Sequence, residues 1–509
     1  MPRRWHFVGL IVAFALVAAA CSGGGDESPD GADGSTEVAD AAITIALGSE
    51  PSTLDPQLTD DGGERAVNDN VYETLLARTP DGEIVPGLAA ELPTQVDDET
   101  WEFKLREGIS FHNGEPFNAD AVVASIERII DPKFNSGQLT YLASISGAEK
   151  VDDYTVHVTT NGPDALLPTR LYWAKIVPAE ASSDPTFADT PAGTGPYKFV
   201  EWAKGDHITI ERNDDYWGDN ESNIKTVTFK FVEESGARLS GILSDEFDLM
   251  LNLPPEDVER APNSGVNSGF EHPVFILNPQ AGSPLADARV RQAMNLAIDK
   301  ESLAENLFAG LAEVDTCQVT SPTWFGYNPN LEPYPFDLDQ AKELVQEAGA
   351  EGTKFVLIGE AGRWLKDREI IESAADSWRQ IGLDPQVQIL EFGDYLDAVF
   401  ADERPDSLFI SGSNELLDAD RLLSAQYHED GLSSSAADPK LNKLIEDARA
   451  TTDEAERQDL YNQATEIACD EAYLVFLLNT PDIFGMTERL QWDPRVDSKL
   501  IVKEMSVTG

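Results

Sequence analysis

The chain is poor in positive charge, in histidine and cysteine, and in the short motifs of catalysis. It has no G-x-S-x-G, no H-E-x-x-H, no C-x-x-C and no G-x-x-x-x-G-K. A nucleophile elbow, a helical zinc site, a redox pair and a phosphate-cradling loop are therefore unsupported. Six histidines, none clustered, give no dedicated metal site, and no cofactor is expected. Lysine and arginine number 37 against 92 aspartates and glutamates, a formal charge of −55. Such a chain does not hold nucleic acid phosphate or lie on anionic lipid. The acid is spread along the chain, which reads first as a solvated acidic surface and second as attraction for cationic ligands. The many carboxylates keep one enzymatic alternative open, an exported hydrolase using paired acids on peptides or glycans.

What is present begins at the amino terminus. Arg3 and Arg4 precede an apolar run from Phe7 to Ala20, the shape of an export signal, too short to span a bilayer as a mature helix. The run ends in "LVAAAC", which resembles the cleavage box of a bacterial lipoprotein. The resemblance implies a signal peptide over 1–20, lipidation of Cys21, and a location on the outer, extracytoplasmic face of the cell membrane, since stable anchoring takes about two acyl chains. Residues 22–40, "SGGGDESPDGADGSTEVAD", contain no aromatic residue and read as a solvated tether, so that 21–40 forms a lipidated, flexible anchor. The remaining pair, Cys317 and Cys469, points in an exported chain to one disulfide; two separate buried thiols are the alternative.

The rest of the chain is too long for one core, and two or three lobes are expected. "AITIALG", "YTVHVTT" and "TVTFKFV" alternate as half-buried strands. "VRQAMNLAIDK", "DLDQAKELVQEAGA" and "LNKLIEDARA" each place apolar residues on one helical face. Strands and helices interleave, giving an α/β or α+β protein of several lobes.

Residues 106–120 crowd Arg106, His112, Glu115 and Asp120 together. "WEFKL" reads as a strand, Asn113-Gly114 as a tight turn, Asn118 as a helix N-cap, and Val122, Ile126, Ile129 and Ile130 as the apolar face of a helix that Asp131-Pro132 ends. The four polar residues fall on a strand, a turn and a helix start, so each has a local structural use and no metal site converges there.

The segment "IVPGLAAEL…WEFKLREGISFHNGEPFNADAVVASI" resembles the signature region of the family 5 extracellular solute-binding proteins, the dipeptide-, oligopeptide- and nickel-binding receptors of ATP-driven importers. "SEPSTLDPQ", "GTGPYKFVEWAKGDHITIERNDDYWG", "PLADARVRQAMNLAIDKESLAENLFAG" and "FDLDQAKELVQEAGA" agree with it, in order, over roughly residues 43–485. The resemblance implies an α/β, two-lobe, periplasmic-binding-protein-like clamshell with mixed sheets flanked by helices. Lobe I would comprise 41–73, 191–274 and 481–509, with an inserted subdomain at 74–190, and lobe II would be 275–480. The connecting strands would pass near "FILNPQ" and "FLLNTPD". A small molecule or peptide would be captured between the lobes and delivered to permease subunits with a separate ATPase. The receptor would act as a monomer and would not be an enzyme.

The same resemblance places Glu415 where peptide-binding members carry the acid that meets the ligand's amino terminus. Ser411, Gly412 and Ser413 would offer backbone groups to an extended ligand, and Asp61, Gly62 and Gly63 would do so from across the cleft. Phe409 stands where some members have a basic residue. Trp324, Phe325, Tyr327 and Trp364 are aromatic residues for a pocket wall or for core packing.

Overall fold

The computed structural model describes residues 40–508 apart from 60, 61, 361, 400, 402 and 432. The signal, Cys21 and the tether lie outside the described residues, as does Asp61.

Alternation of apolar residues produces the strands. In Ala41–Leu47 the buried positions include Ile43, Ile45 and Leu47, and in Thr155–Thr160 they include Val156 and Val158. Ten strands form one path, ordered Asp384–Leu390, Lys354–Glu360, Ser407–Ser413, Asn263–Leu277, Leu478–Met486, Leu249–Met250, Ala41–Leu47, Ile224–Phe231, His207–Arg212 and Tyr197–Ala203. The sheet is mixed: Lys354–Glu360 pairs parallel with both of its neighbours, as does Ala41–Leu47, whereas the central strands pair antiparallel.

Two strands carry the chain from one half of this sheet to the other. Asn263–Asn267 pairs with Met486–Asp482, the register then shifts, and Glu271 pairs with Thr480. Gly269 sits at the shift with φ +61°, and a Cβ there would lie 2.3 Å from the Thr480 carbonyl oxygen. The break requires glycine both for its backbone angle and for this close approach. "FLLNTPD" reaches the break, whereas "FILNPQ" lies beyond it, where Phe275–Leu277 pairs with Phe409–Ser407.

Apolar side chains gather on each side of that crossing. One core combines Ile43, Ile45, Tyr72, Phe229, Phe484, Met486 and Trp492. Two others lie within residues 270–478, one around Phe275, Trp378 and Phe409, the other around Tyr427, Tyr461 and Phe476. A further core, from Leu75 to Ile176 with Leu416, packs helix Ala119–Ile130 on an antiparallel sheet ordered Thr94–Asp97, Thr100–Lys104, Thr155–Thr160, Ile145–Asp152. That helix starts as its sequence dictates: Asn118 accepts from the Ala121 backbone N–H.

Some of the acid in the composition is consumed by capping. Helices Ala288–Leu296, Lys300–Phe308, Leu338–Glu347, Ala419–Gln426, Pro439–Ala450 and Glu454–Asp470 each begin behind an aspartate whose carboxylate accepts a first-turn N–H. A disulfide joins Cys317 to Cys469, with the two Cα atoms 5.4 Å apart. Among the described residues no helix is long and apolar enough to cross a membrane.

Candidate functional site

A polar cavity of about 750 Å³ lies at the crossing, lined from both halves of the sheet. From one side it receives Gly62 and Gly63, at the start of helix Gly62–Val71; from the other it receives Ser413, the last residue of strand Ser407–Ser413, and Glu415 just beyond. A Cβ at Gly62 would meet no atom within 4 Å, so this backbone approaches the cavity without a side chain between. Strand alternation sets Gly412 apart from its serine neighbours. Gly412 faces away from the cavity, where a Cβ would press on Gln426 and Leu422, and Ser411 is buried next to Glu271.

Glu415 is fixed from several directions. Arg78 donates to its backbone carbonyl at 3.2 Å and to that of Leu416 at 2.8 Å. Its Oε1 accepts from Ser413 Oγ at 2.9 Å and from Arg65 at 3.5 Å. The side chain is only 5 % exposed, and Oε2 has no hydrogen-bond partner among the described residues. A carboxylate oxygen removed from water without a donor is costly, so it is a site of unmet hydrogen-bonding capacity.

The other charged groups around the cavity divide into two sets. On the helix side Asp69 pairs with Lys175 and with Lys499, and Asp497 pairs with Arg495, which also holds Glu504. Despite its burial, Asp69 is held down to about 2 by the two lysines. Burial, with Lys175 nearby, pulls Lys499 down to about 7. Arg238 donates to the Val232 and Glu233 carbonyls at 2.8 and 2.7 Å. At the strand crossing the situation is the reverse. Burial pushes the Glu271 carboxyl up to about 7, with Asp482 and Glu415 adding to the rise. Burial likewise raises Asp482, which accepts a hydrogen bond from Ser498. Arg363 opposes the rise at Glu271 and Arg65 opposes it at Asp482, and burial outweighs both. Sequence reasoning missed Glu271, Asp482, Lys499 and Arg238, because their neighbours are far apart in the chain and share no local motif.

The crowded stretch at 106–120 is structural. Arg106 Nε donates to the Gly87 carbonyl at 2.8 Å, and Glu115 accepts from the Glu180 and Ala181 backbone. His112 Nε2 donates to the Gly195 carbonyl at 2.9 Å, and burial pulls the ring down to about 4. Asp120 pairs with Lys150. Asp418, within the segment carried over by resemblance, caps a helix and pairs with Arg457.

Trp324, Phe325, Tyr327 and Trp364 do not wall this cavity, whose aromatic lining is Tyr141, Phe270 and Phe484. Trp324 packs edge-on against His272, and Trp364 packs on Tyr395 and Phe409. Trp324, Phe325 and Tyr327 line a separate cavity of about 1050 Å³ on the far side of Leu416–Asp418. Phe409 is fully buried among Phe275 and Trp364.

One arrangement has the outline of a nucleophile relay. His272 Nδ1 lies 2.8 Å from Asp315 and Nε2 lies 3.1 Å from Ser321 Oγ. Ser321 is 3 % exposed, and the Asn479 amide donates to its hydroxyl as well, so this is a buried network without substrate access. Among the described residues no group of three or more His, Cys, Asp or Glu could hold a metal ion. The cavity offers a solute carboxylates, guanidiniums and backbone groups.

Comparison with known proteins places the chain by fold and family. The chain is 27 % identical over 466 residues to Di/tripeptide-binding protein 1 of Pseudomonas aeruginosa, covering 82 % of this chain and 85 % of that one. It is 28 % identical over 487 residues to the Dipeptide-binding protein of Escherichia coli, covering 85 % and 88 %. The periplasmic binding protein DppA from Helicobacter pylori, solved in complex with peptide STSA, superposes with a TM-score of 0.76 at 25 % identity, covering 92 % of this chain and 98 % of that one. The architecture is thus the two-lobe fold of periplasmic binding proteins, with mixed sheets flanked by helices. Residues 83–434 match the family described as bacterial extracellular solute-binding proteins, family 5 Middle, and the chain belongs to that family.

Proposed function

We propose that this protein is the extracytoplasmic receptor of an ABC importer for peptides or peptide-like cationic solutes, and that it binds without chemistry. One observation carries the reading: Glu415 lines a cavity bounded by both halves of the sheet, with one carboxylate oxygen buried and without a hydrogen-bond partner among the described residues. A ligand ammonium there would supply the missing donor, and its pairing with a carboxylate survives burial only when well hydrogen-bonded. The names of the relatives, which bind dipeptides and tripeptides, support the same ligand class. In this reading lobe I is 41–73, 191–274 and 481–509, the inserted subdomain is 74–190, and lobe II is 275–480. The register break at Gly269 is the pivot. A solute contacting both lobes favours the closed form by its differential affinity. Cleavage before Cys21 and lipidation there would hold a single protomer, on its tether, at the outer face of the membrane beside a permease that has its own ATPase.

Native mass spectrometry of freshly purified protein tests the ligand class. A retained short peptide or small organic cation is the expected result. Recovery of a sugar alone, or of a hydrolysed product on incubation with peptides, would overturn it.

A further inference from the structure

The strand crossing offers more negative charge than one ammonium uses. Glu271 lies on strand Asn263–Leu277, Asp482 on strand Leu478–Met486, and Glu415 just after strand Ser407–Ser413. Pairing brings them together: Glu271 is the partner of Ser413, whose hydroxyl donates to Glu415, and Asp482 is the partner of Asn267 just across the Gly269 break. All three line the same cavity. The buried Oε2 of Glu415, without a hydrogen-bond partner among the described residues, marks it as a place where a donor is wanted.

The nearby cations do not neutralise this group. Arg65 is 3.5 Å from Glu415, and its guanidinium also lies over the Trp173 ring. Arg363 lowers Glu271 somewhat and Arg65 lowers Asp482, but burial outweighs both, and the two other acids add to the rise at Glu271. A single ammonium placed on Glu415 would leave Glu271 and Asp482 as two half-buried carboxyls on the same cavity, each raised first by burial, with Asp482 raising Glu271 further. Carboxylates on or just beyond three strands suit an extended organic cation, which can meet them at separate points.

We propose that the solute taken by this cavity carries two positive centres a few bonds apart, one seated on Glu415 and the other on Glu271 and Asp482, as in a peptide beginning with a basic residue or in a small diamine. This rests on the receptor reading above and narrows its ligand class. A second cation also acts on protons. At neutral pH Glu271 is part-protonated, in the company of Asp482, Glu415, Arg363 and the hydroxyl of Ser411. A positive charge beside it favours the carboxylate, so binding near pH 7 releases a fraction of a proton.

Isothermal titration of the whole mature protein with lysyl-alanine, its neutral near-isostere norleucyl-alanine, and cadaverine tests this. At least one dication is expected to bind tenfold or more tighter than norleucyl-alanine. The double variant Glu271→Gln/Asp482→Asn should reduce that preference to within about threefold. In buffers of different ionisation enthalpy the wild type should release protons on binding a dication at pH 7, and Glu271→Gln should not. Should the double variant lose structure, which its melting curve would report, the proton release of the single Glu271→Gln variant decides. Equal affinity for charged and neutral probes, or a preference that survives the double substitution, overturns this inference and leaves the receptor reading intact. Binding of none of the three probes, together with no retained peptide or cation in native mass spectra, overturns both.

Discussion

The two walls of the cavity are built from the same residue types under opposite rules. On the helix side two acids that line the cavity, Asp69 and Asp497, have cations, while the buried Glu64 accepts from Ser52. Asp69 has Lys175 and Lys499, while Asp497 and Glu504 share Arg495. At the strand crossing burial raises Glu271 and Asp482 despite Arg363 and Arg65, and Glu415 keeps one oxygen without a partner among the described residues. Closed networks of the first kind fix a scaffold, since removal of one partner strands a buried charge. Open carboxylates of the second kind cost stability and are retained where something else completes them.

The largest effect that would sharpen this contrast comes from the closed network. Arg495→Leu strands Asp497 and Glu504, and is expected to cost roughly 3–5 kcal/mol in urea unfolding. A loss under about 1 kcal/mol would break the contrast from the scaffold side.

Glu271→Gln should behave in the opposite way. The folded chain holds the Glu271 proton up to about pH 7, whereas the usual carboxyl value is 4.5. Between those values the folded state binds more protons than the unfolded state, so wild-type stability falls as pH rises from about 5 to 8. Glu271→Gln removes that slope and should gain on the wild type by roughly 1–3 kcal/mol across the window. Thermal melts at several pH values measure it, and parallel pH profiles for the two proteins would count against a raised Glu271 carboxyl.

Glu415→Gln keeps the shape and removes the charge. It should weaken binding of the retained solute at least about tenfold, near 1.4 kcal/mol, in titration calorimetry. An unchanged Kd would move the binding role elsewhere on the cavity wall. The smallest effect belongs to a control far from either wall. Asn118→Ala removes the N-cap of Ala119–Ile130 and should cost about 1 kcal/mol without altering ligand affinity.

Local elements were legible in the sequence because their causes are local. Alternation in "AITIALG" and "YTVHVTT", and the side chain of Asn118, act within a few residues, and each element lies where its pattern puts it. The same alternation could have separated Gly412 from its serine neighbours, since a strand sends successive side chains to opposite faces. Glu415, Ser413, Gly62 and Gly63 were legible only by resemblance, and the cavity brings these four together. Glu271 and Asp482 were not legible at all. Their meeting on one cavity is a property of strand pairing across more than two hundred residues of sequence, and no local spacing encodes it.

The order of the sheet also has a consequence for biogenesis. Leu478–Met486 sits between Asn263–Leu277 and Leu249–Met250, and Phe484, Met486, Leu490, Trp492, Leu500, Val502 and Met505 fill the core beside Ile43 and Ile45. The first strand synthesised therefore waits for residues 478–505 before its surroundings are complete, whereas both half-cystines, at 317 and 469, have already been made. The core around Ile43 and Ile45 is therefore completed only by the last residues of the chain, after both cysteines of the disulfide.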